Sequence, residues 1–192
     1  MSSKILFILH LPPPIHGAAM MGKYIQESEL VNSSFDCFCI NLATAGSLSD
    51  IGHISLKKLL KYFFLLKHIS HVVREIRPEL VYITPNAGGK AFFKDFIVVQ
   101  MLKSMGCKVI AHYHNKGVSV YQSKWVYNFF YKRFFSNLKV ILLAENLYKD
   151  IAKYVKREDV YICPNGIPNL RKGELEARRN NKITFRLLKK YL

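Results

Sequence analysis

Residues 4–25, KILFILHLPPPIHGAAMMGKYI, decide how the chain is read. After Lys4 comes an unbroken run of Ile, Leu and Phe that is too short for an ordinary helix and ends, past His10, at a run of prolines. Such a run, bounded by turn residues, reads as a strand covered on both faces. His16, Gly17, Ala18 and Ala19 then lead directly into a helical pattern, so the unit is strand, loop, helix. His10 interrupts the apolar stretch and no small-residue cleavage pattern follows, so the segment is not read as a signal peptide.

The same order repeats down the chain. Strand candidates fall at residues 4–9, 36–42, 80–84, 108–114, 139–144 and 159–163, and helical patterns at 18–31, 56–76, 90–105, 123–137 and 146–156. Short apolar runs alternating with longer helices are the mark of a parallel sheet. The predicted fold is α/β: a Rossmann-like, doubly wound, mainly parallel sheet of about six strands with helices on both faces. In the helix at 56–76, Leu59, Tyr62, Leu66, Ile69, Val73 and Ile76 recur at helical spacing and form the stripe expected to pack on the sheet. Residues 41–55, rich in Ala, Gly, Ser and Thr, are expected to form a mobile loop beside the site. The Rossmann-like domain is assigned to residues 1–169, and residues 170–192 read as a basic linker or tail.

Length and composition set outer bounds. A chain of 192 residues suits one domain. Its 29 Lys and Arg against 13 Asp and Glu give a formal charge of +16, which favours anionic partners without naming one. Cys37, Cys39, Cys107 and Cys163 show neither C-x-x-C nor paired-His spacing, so zinc and dithiol chemistry lack support and reduced, buried thiols are the reading. No apolar stretch reaches the roughly 20 residues of a spanning helix, so membrane contact is expected to be peripheral.

In an open parallel sheet, ligands bind beyond the carboxyl ends of the strands, so the residues that follow each strand carry the functional question. After the first strand, His16, Gly17 and Ala18 start a helix whose free amides can face a phosphate; close packing at Gly17 is the equally weighted structural reading. The segment is not G-x-G-x-x-G, and Asn41 stands where a ribose-binding acid is expected, which disfavours dinucleotide binding. After the third strand, Asn86 and Lys90 flank small residues that open a helix and can hold a phosphate or sugar hydroxyl. The fourth strand ends in AHYHNKG, where period-two geometry places His112 and His114 on one face, followed by Asn115 and Lys116. These histidines are the catalytic candidates, and Asn86, Lys90, Asn115 and Lys116 the acceptor-binding ones. No acid or thiol lies near in sequence to complete a metal site, and no G-x-S-x-G elbow is present.

With HLPPPIHGAAMMGKYI at the entry, AHYHNKG at the fourth strand end and VYICPNGIP after the sixth, the chain resembles the N-terminal half of the family 4 glycosyltransferases. That family has the GT-B architecture of two facing Rossmann-like domains, and the likeness covers about residues 4–168. The resemblance implies a nucleotide diphosphate sugar as donor, transfer with retention, and no catalytic metal or other cofactor. It also implies a second domain that binds most of the donor, whose first strand residues 183–185 would begin. By the same likeness His16, Gly17 and Ala18 approach the donor diphosphate, His114 stands near the transferred sugar, His112 is secondary, and Asn165 is structural at the crossover to the second domain. The implied activity is glycan or lipid-linked glycan synthesis, with the chain catalytically incomplete alone.

The charge adds a partner. Lys57, Lys61, His68 and His71 lie opposite the apolar stripe of the helix at 56–76, with Leu60, Phe63, Phe64 and Lys67 toward that side, which suits an anionic lipid surface. Residues 124–135 are apolar on nearly every side; a buried core helix is the first reading and a membrane lip the second. A cytoplasmic enzyme, peripheral on the inner face of the cell membrane, is the expectation. The alternative is a basic membrane-binding or nucleic-acid-binding module without catalytic activity. Nucleic acid is not the expected partner, because the aromatics follow core patterns and no nucleic-acid motif is present.

Overall fold

The computed structural model describes residues 2–42, 56–166 and 188–189. Strands β1 (Lys4–Leu9), β2 (Asp36–Asn41), β3 (Leu80–Ile83), β4 (Val109–Tyr113), β5 (Lys139–Leu142) and β6 (Val160–Ile162) form one six-stranded sheet in the order β2-β1-β3-β4-β5-β6. Every neighbouring pair is parallel. The chain therefore has the α/β, Rossmann-like architecture that its alternating pattern predicts. β1 keeps its expected bounds, and the later strands stop one or two residues early at the carboxyl edge. Thr84, His114 and Cys163 consequently begin loops instead of ending strands.

Successive strand residues point to opposite faces, and the two faces are covered by different elements. Leu6, Ile8, Val81, Ile83, Ala111 and Val140 share a core with α3 (Leu56–Ile76), α4 (Gly89–Ser104), α6 (Trp125–Phe135) and α7 (Tyr148–Ile151). On the opposite face Ile5, Phe7, Leu9, Tyr82, Ile110 and Ile141 pack with residues from α1 (Gly17–Gln26) and α2 (Glu29–Asn32) and with Leu188. Burying each such aliphatic side chain contributes roughly 2 kcal/mol, so both layers are fixed by the strands' near-continuous apolar sequence. Leu188 belongs to the stretch read as a linker or the start of a second domain, and it is buried on this domain's second face. The expected loop beyond residue 42 and the tail from 170 to 187 lie outside the described residues.

Local sequence explains the helix ends. His16, in extended backbone, caps α1 by accepting from Ala19 N through Nδ1 at 3.3 Å. The helix expected over 18–31 is divided, because the Ser28 hydroxyl accepts from Val31 N and starts α2. α3 has its expected bounds. Tyr62, Ile69, Val73 and Ile76 of its stripe are buried, but Leu59 is 60% exposed, so the stripe meets the core only from Tyr62 onward. Tyr62 also donates to the Lys94 carbonyl at 2.6 Å, which ties α3 to α4.

α6 is a core helix on one side, as its first reading proposes: Tyr131, Phe134 and Phe135 are buried, and the ring of Phe92 of α4 lies tilted, 4.5 Å from that of Tyr131. Its other side leaves Trp125 and Phe129 exposed. The helix expected over 146–156 shrinks to a 3-10 turn at Glu145–Leu147 followed by α7. A short helix without a sequence forecast, α5 (Val118–Tyr121), is held by Asp150 of α7. The Asp150 carboxylate accepts from the amides of Gly117, Val118 and Ser119 at 2.9–3.0 Å and from the Ser119 hydroxyl at 2.5 Å.

Candidate functional site

The strand order reverses between β1 and β3, and the loops leaving such a pair diverge to opposite faces and open a crevice at the carboxyl edge. Side chains tie this edge together. Leu11 N donates to Asn41 Oδ1 at 3.2 Å, so the residue standing where a ribose-binding acid was sought holds the β1 loop instead. His10 N donates to Thr84 Oγ1 at 3.3 Å, which joins the ends of β1 and β3. Ala87 N donates to Asn115 Oδ1 at 3.2 Å and joins the loops after β3 and β4.

Histidines gather over this frame. The rings of His10 and His16 lie 6.1 Å apart and those of His112 and His114 4.3 Å apart. Burial pushes His10 down to about 4, with the positive fields of His16, Lys94 and His114 adding to the effect. Burial likewise brings His114 down to about 4, against a hydrogen bond to Asn165 that works upward. His112 is only 4% exposed and burial holds it well below the usual histidine range. At neutral pH all three are uncharged imidazoles.

The tautomer of His114 follows from its partner. Its Nδ1 lies 3.1 Å from Asn165 Oδ1, an oxygen that can only accept, so Nδ1 carries the proton and Nε2 is left as an acceptor. Nε2 is covered and has no hydrogen-bond partner. Such a group costs free energy and is the kind of exception that clusters at functional sites. A neutral acceptor suits a hydroxyl donor better than a phosphate. His112 is one layer deeper: its Nδ1 pairs with the Tyr82 hydroxyl, and its ring supports that of His114. Of the two catalytic candidates, it is the more deeply buried.

At the start of α1, His16 occupies the amide of Ala19, which leaves those of Gly17 and Ala18 directed out of the helix end. A Cβ built on Gly17 meets nothing within 4 Å, so close packing does not explain the glycine. That role falls to Gly22, where a Cβ would stand 2.2 Å from the His10 carbonyl oxygen. The sequence weighs packing and anion binding equally at Gly17 and carries no signal at Gly22.

The remaining candidates separate into two kinds. Asn86 is fixed, its backbone N and its Nδ2 both donating to Asp95 Oδ2 at 2.7 and 2.8 Å, and Nδ2 also lies 3.5 Å from His10 Nε2. Asn115 serves the loop contact just described. Lys90 and Lys116 are exposed on the rim, and the cation whose field reaches His10 is Lys94. His10, Asp95 and Lys94 were missed in the sequence, because an acid in a helix interior and a histidine before a proline run carry no motif. Asp95 is fully enclosed; burial raises its pKa to about 6, opposed by the Asn86 hydrogen bonds and by Lys94.

Among the described residues, no group of three or more His, Cys, Asp or Glu side chains is arranged to hold a metal ion. No described helix is long and apolar enough to cross a membrane. Compared with family profiles, curated proteins and solved structures, the chain shows no match.

Proposed function

We propose that this chain is the acceptor-side half of a retaining glycosyltransferase that takes a nucleotide diphosphate sugar and extends a surface polysaccharide or lipid-linked glycan. The observation that carries the reading is the convergence of His10, His16 and His114 with the open start of α1 at the edge where the strand order reverses. Amides of Gly17 and Ala18 serve phosphate oxygens of the donor, aided by the partial positive charge of the helix end. His114 Nε2 accepts from a sugar hydroxyl that enters from the sheet edge and displaces the side chains covering it. Lys90 and Lys116 line the acceptor approach.

On this reading catalysis is positioning and electrostatic stabilisation of the departing phosphate. A neutral His114 neither delivers a proton at pH 7 nor needs to; it orients the sugar while a second Rossmann-like domain facing this edge binds the rest of the donor. No residue here is assigned a metal or other cofactor. The enzyme works in the cytoplasm, beside the inner face of the membrane. A non-catalytic basic module explains the charge but leaves the unpartnered Nε2 and the open Gly17 without a purpose.

The test joins the chain to a family 4 donor-binding domain and follows transfer of radiolabelled sugar from nucleotide donors to lipid-linked acceptors. Replacing His114 by Ala should cut turnover about 100-fold or more, the scale of losing one preorganised polar contact. Unchanged turnover in that variant removes His114 from the mechanism.

A further inference from the structure

Charge and exposed apolar surface are unevenly distributed, and both concentrate on the layer formed by α3, α4 and α6. Residues 51–74 and 96–144 contain no Asp or Glu. The acids that these three helices do hold are Glu75, paired with His71 at 3.5 Å, and Asp95, which is buried. The outward surface of the layer is thus almost purely cationic. On the same layer stand, among the described residues, all the large exposed apolar side chains except Ile15 and Val120.

The densest group is Leu56, Leu59, Leu60, Phe63 and Phe64 on the first half of α3. Trp125, 81% exposed, and Phe129 extend it across α6. Cationic head groups lie over these rings, the Lys67 Nζ 5.6 Å from the Phe63 centroid and the Arg133 guanidinium carbon 5.9 Å from that of Phe129. In a parallel sheet the connecting helices begin at the carboxyl edge of the strands. The first turns of α3 and α6 therefore lie at the same end of the domain as His10 and His114.

We infer that this layer docks the chain on an anionic phospholipid bilayer, with the first half of α3 and the exposed side of α6 entering the headgroup region. Leucines beside lysines fit acyl chains under phosphate headgroups, with the long basic side chains reaching back to the anions. A single-stranded nucleic acid would be served by aromatics spaced along a groove, and three exposed leucines on a convex helix cannot stack on bases. A second copy of the chain would bring two cationic surfaces together. The docking orients the sheet edge toward the bilayer, where a lipid-linked acceptor would lie, but it does not depend on the transfer reading, because binding without any transfer leaves it standing.

The chain holds a single tryptophan, Trp125, inside the inferred contact. The experiment mixes the full chain with vesicles of phosphatidylcholine alone or with added phosphatidylglycerol, and follows sedimentation, Trp125 emission and quenching by brominated lipid. Binding to anionic vesicles only, weakened by salt, with a blue-shifted and quenched Trp125, is expected. The double variant Phe63→Ser, Phe64→Ser should lose at least about tenfold in partitioning, with an unchanged thermal melt. The pair Lys61→Glu, Lys67→Glu should weaken binding to anionic vesicles and flatten its salt dependence. Four results overturn the inference: no binding to either vesicle, binding with Trp125 unquenched, salt-sensitive binding to single-stranded RNA without vesicle binding, or a dimer that the Phe63 and Phe64 changes dissociate.

Discussion

His114 Nδ1 and Asn165 Oδ1 lie 3.1 Å apart across 51 residues of sequence, and this bond joins the end of β4 to the segment that leaves β6. It sets which imidazole nitrogen holds the proton. Asn165→Ala should release that choice: nitrogen chemical shifts of His114 should report the Nδ1–H form in the parent and a mixture in the variant. Its pKa should fall further, because the lost bond works upward. An unchanged tautomer in Asn165→Ala would remove Asn165 as the group that sets it.

Two glycines in α1 should respond oppositely. Gly22→Ala places a methyl group 2.2 Å from the His10 carbonyl, a backbone atom that cannot swing away. Helix propensity gains about 1 kcal/mol from alanine, but forced overpacking costs roughly 1–3 kcal/mol and shifts the β1 loop. Net destabilisation of up to about 2 kcal/mol is expected by chemical denaturation. Gly17→Ala, with open space around it, should stay within about 0.5 kcal/mol of the parent. Equal effects at the two positions would contradict the packing described.

Asp150 replaces the capping side chain that α5 lacks. Burial works against its charge, but the Ser119 hydroxyl and the three amides outweigh that and hold its pKa below the usual carboxylate range. Asp150→Ala leaves four donors, three amides and the Ser119 hydroxyl, without their acceptor and should cost roughly 1–3 kcal/mol. Being depressed, this carboxylate stabilises the fold above its unfolded pKa of 3.8 and loses that contribution as pH falls through the folded value. The difference between parent and variant should therefore shrink in strong acid.

The histidines and Asp95 pull the stability curve in opposite directions. His10 and His114 have folded values near 4 against 6.5 unfolded, so their contribution is intact above pH 6.5 and is lost as pH falls toward 4. Asp95 has a folded value of about 6 against 3.8, so its favourable contribution is present below 3.8 and is lost as pH rises through 6. Denaturation curves should show the parent weakening between pH 6.5 and 4.5, and Asp95→Asn weakening more steeply because it lacks the opposing term. Parallel pH curves for the two proteins would show that Asp95 is not the ionisable group described.

The sheet was legible because strands buried on both faces need continuous Ile, Leu, Val, Phe and Tyr, and such runs stand out between helical patterns. The bounds of β1 and α3 came directly from that contrast. Contacts between distant segments were not legible. Asp150 capping α5, Asn41 holding Leu11 and Gly22 passing over His10 are each made by residues far apart in sequence, with local surroundings that look ordinary. At the edge of the sheet, sequence period placed His112 and His114 on one face, and their rings do meet at 4.3 Å. That His112 lies beneath His114, and that His10 completes the group, depended on the strand order. Leu59 failed as a core residue because spacing alone does not say where along a helix the sheet begins.

On the proposed reading, the carboxyl edge between β1 and β3 receives a nucleotide diphosphate sugar. The most direct measurement is a titration of the nitrogen-15-labelled chain with UDP and GDP at millimolar concentration, read amide by amide. The account predicts that the amides of Gly17 and Ala18 shift most, that the imidazole of His114 responds, and that Gly17→Val abolishes both changes while the protein stays folded. Shifts confined to the lysines of α3, or none at all, would contradict it.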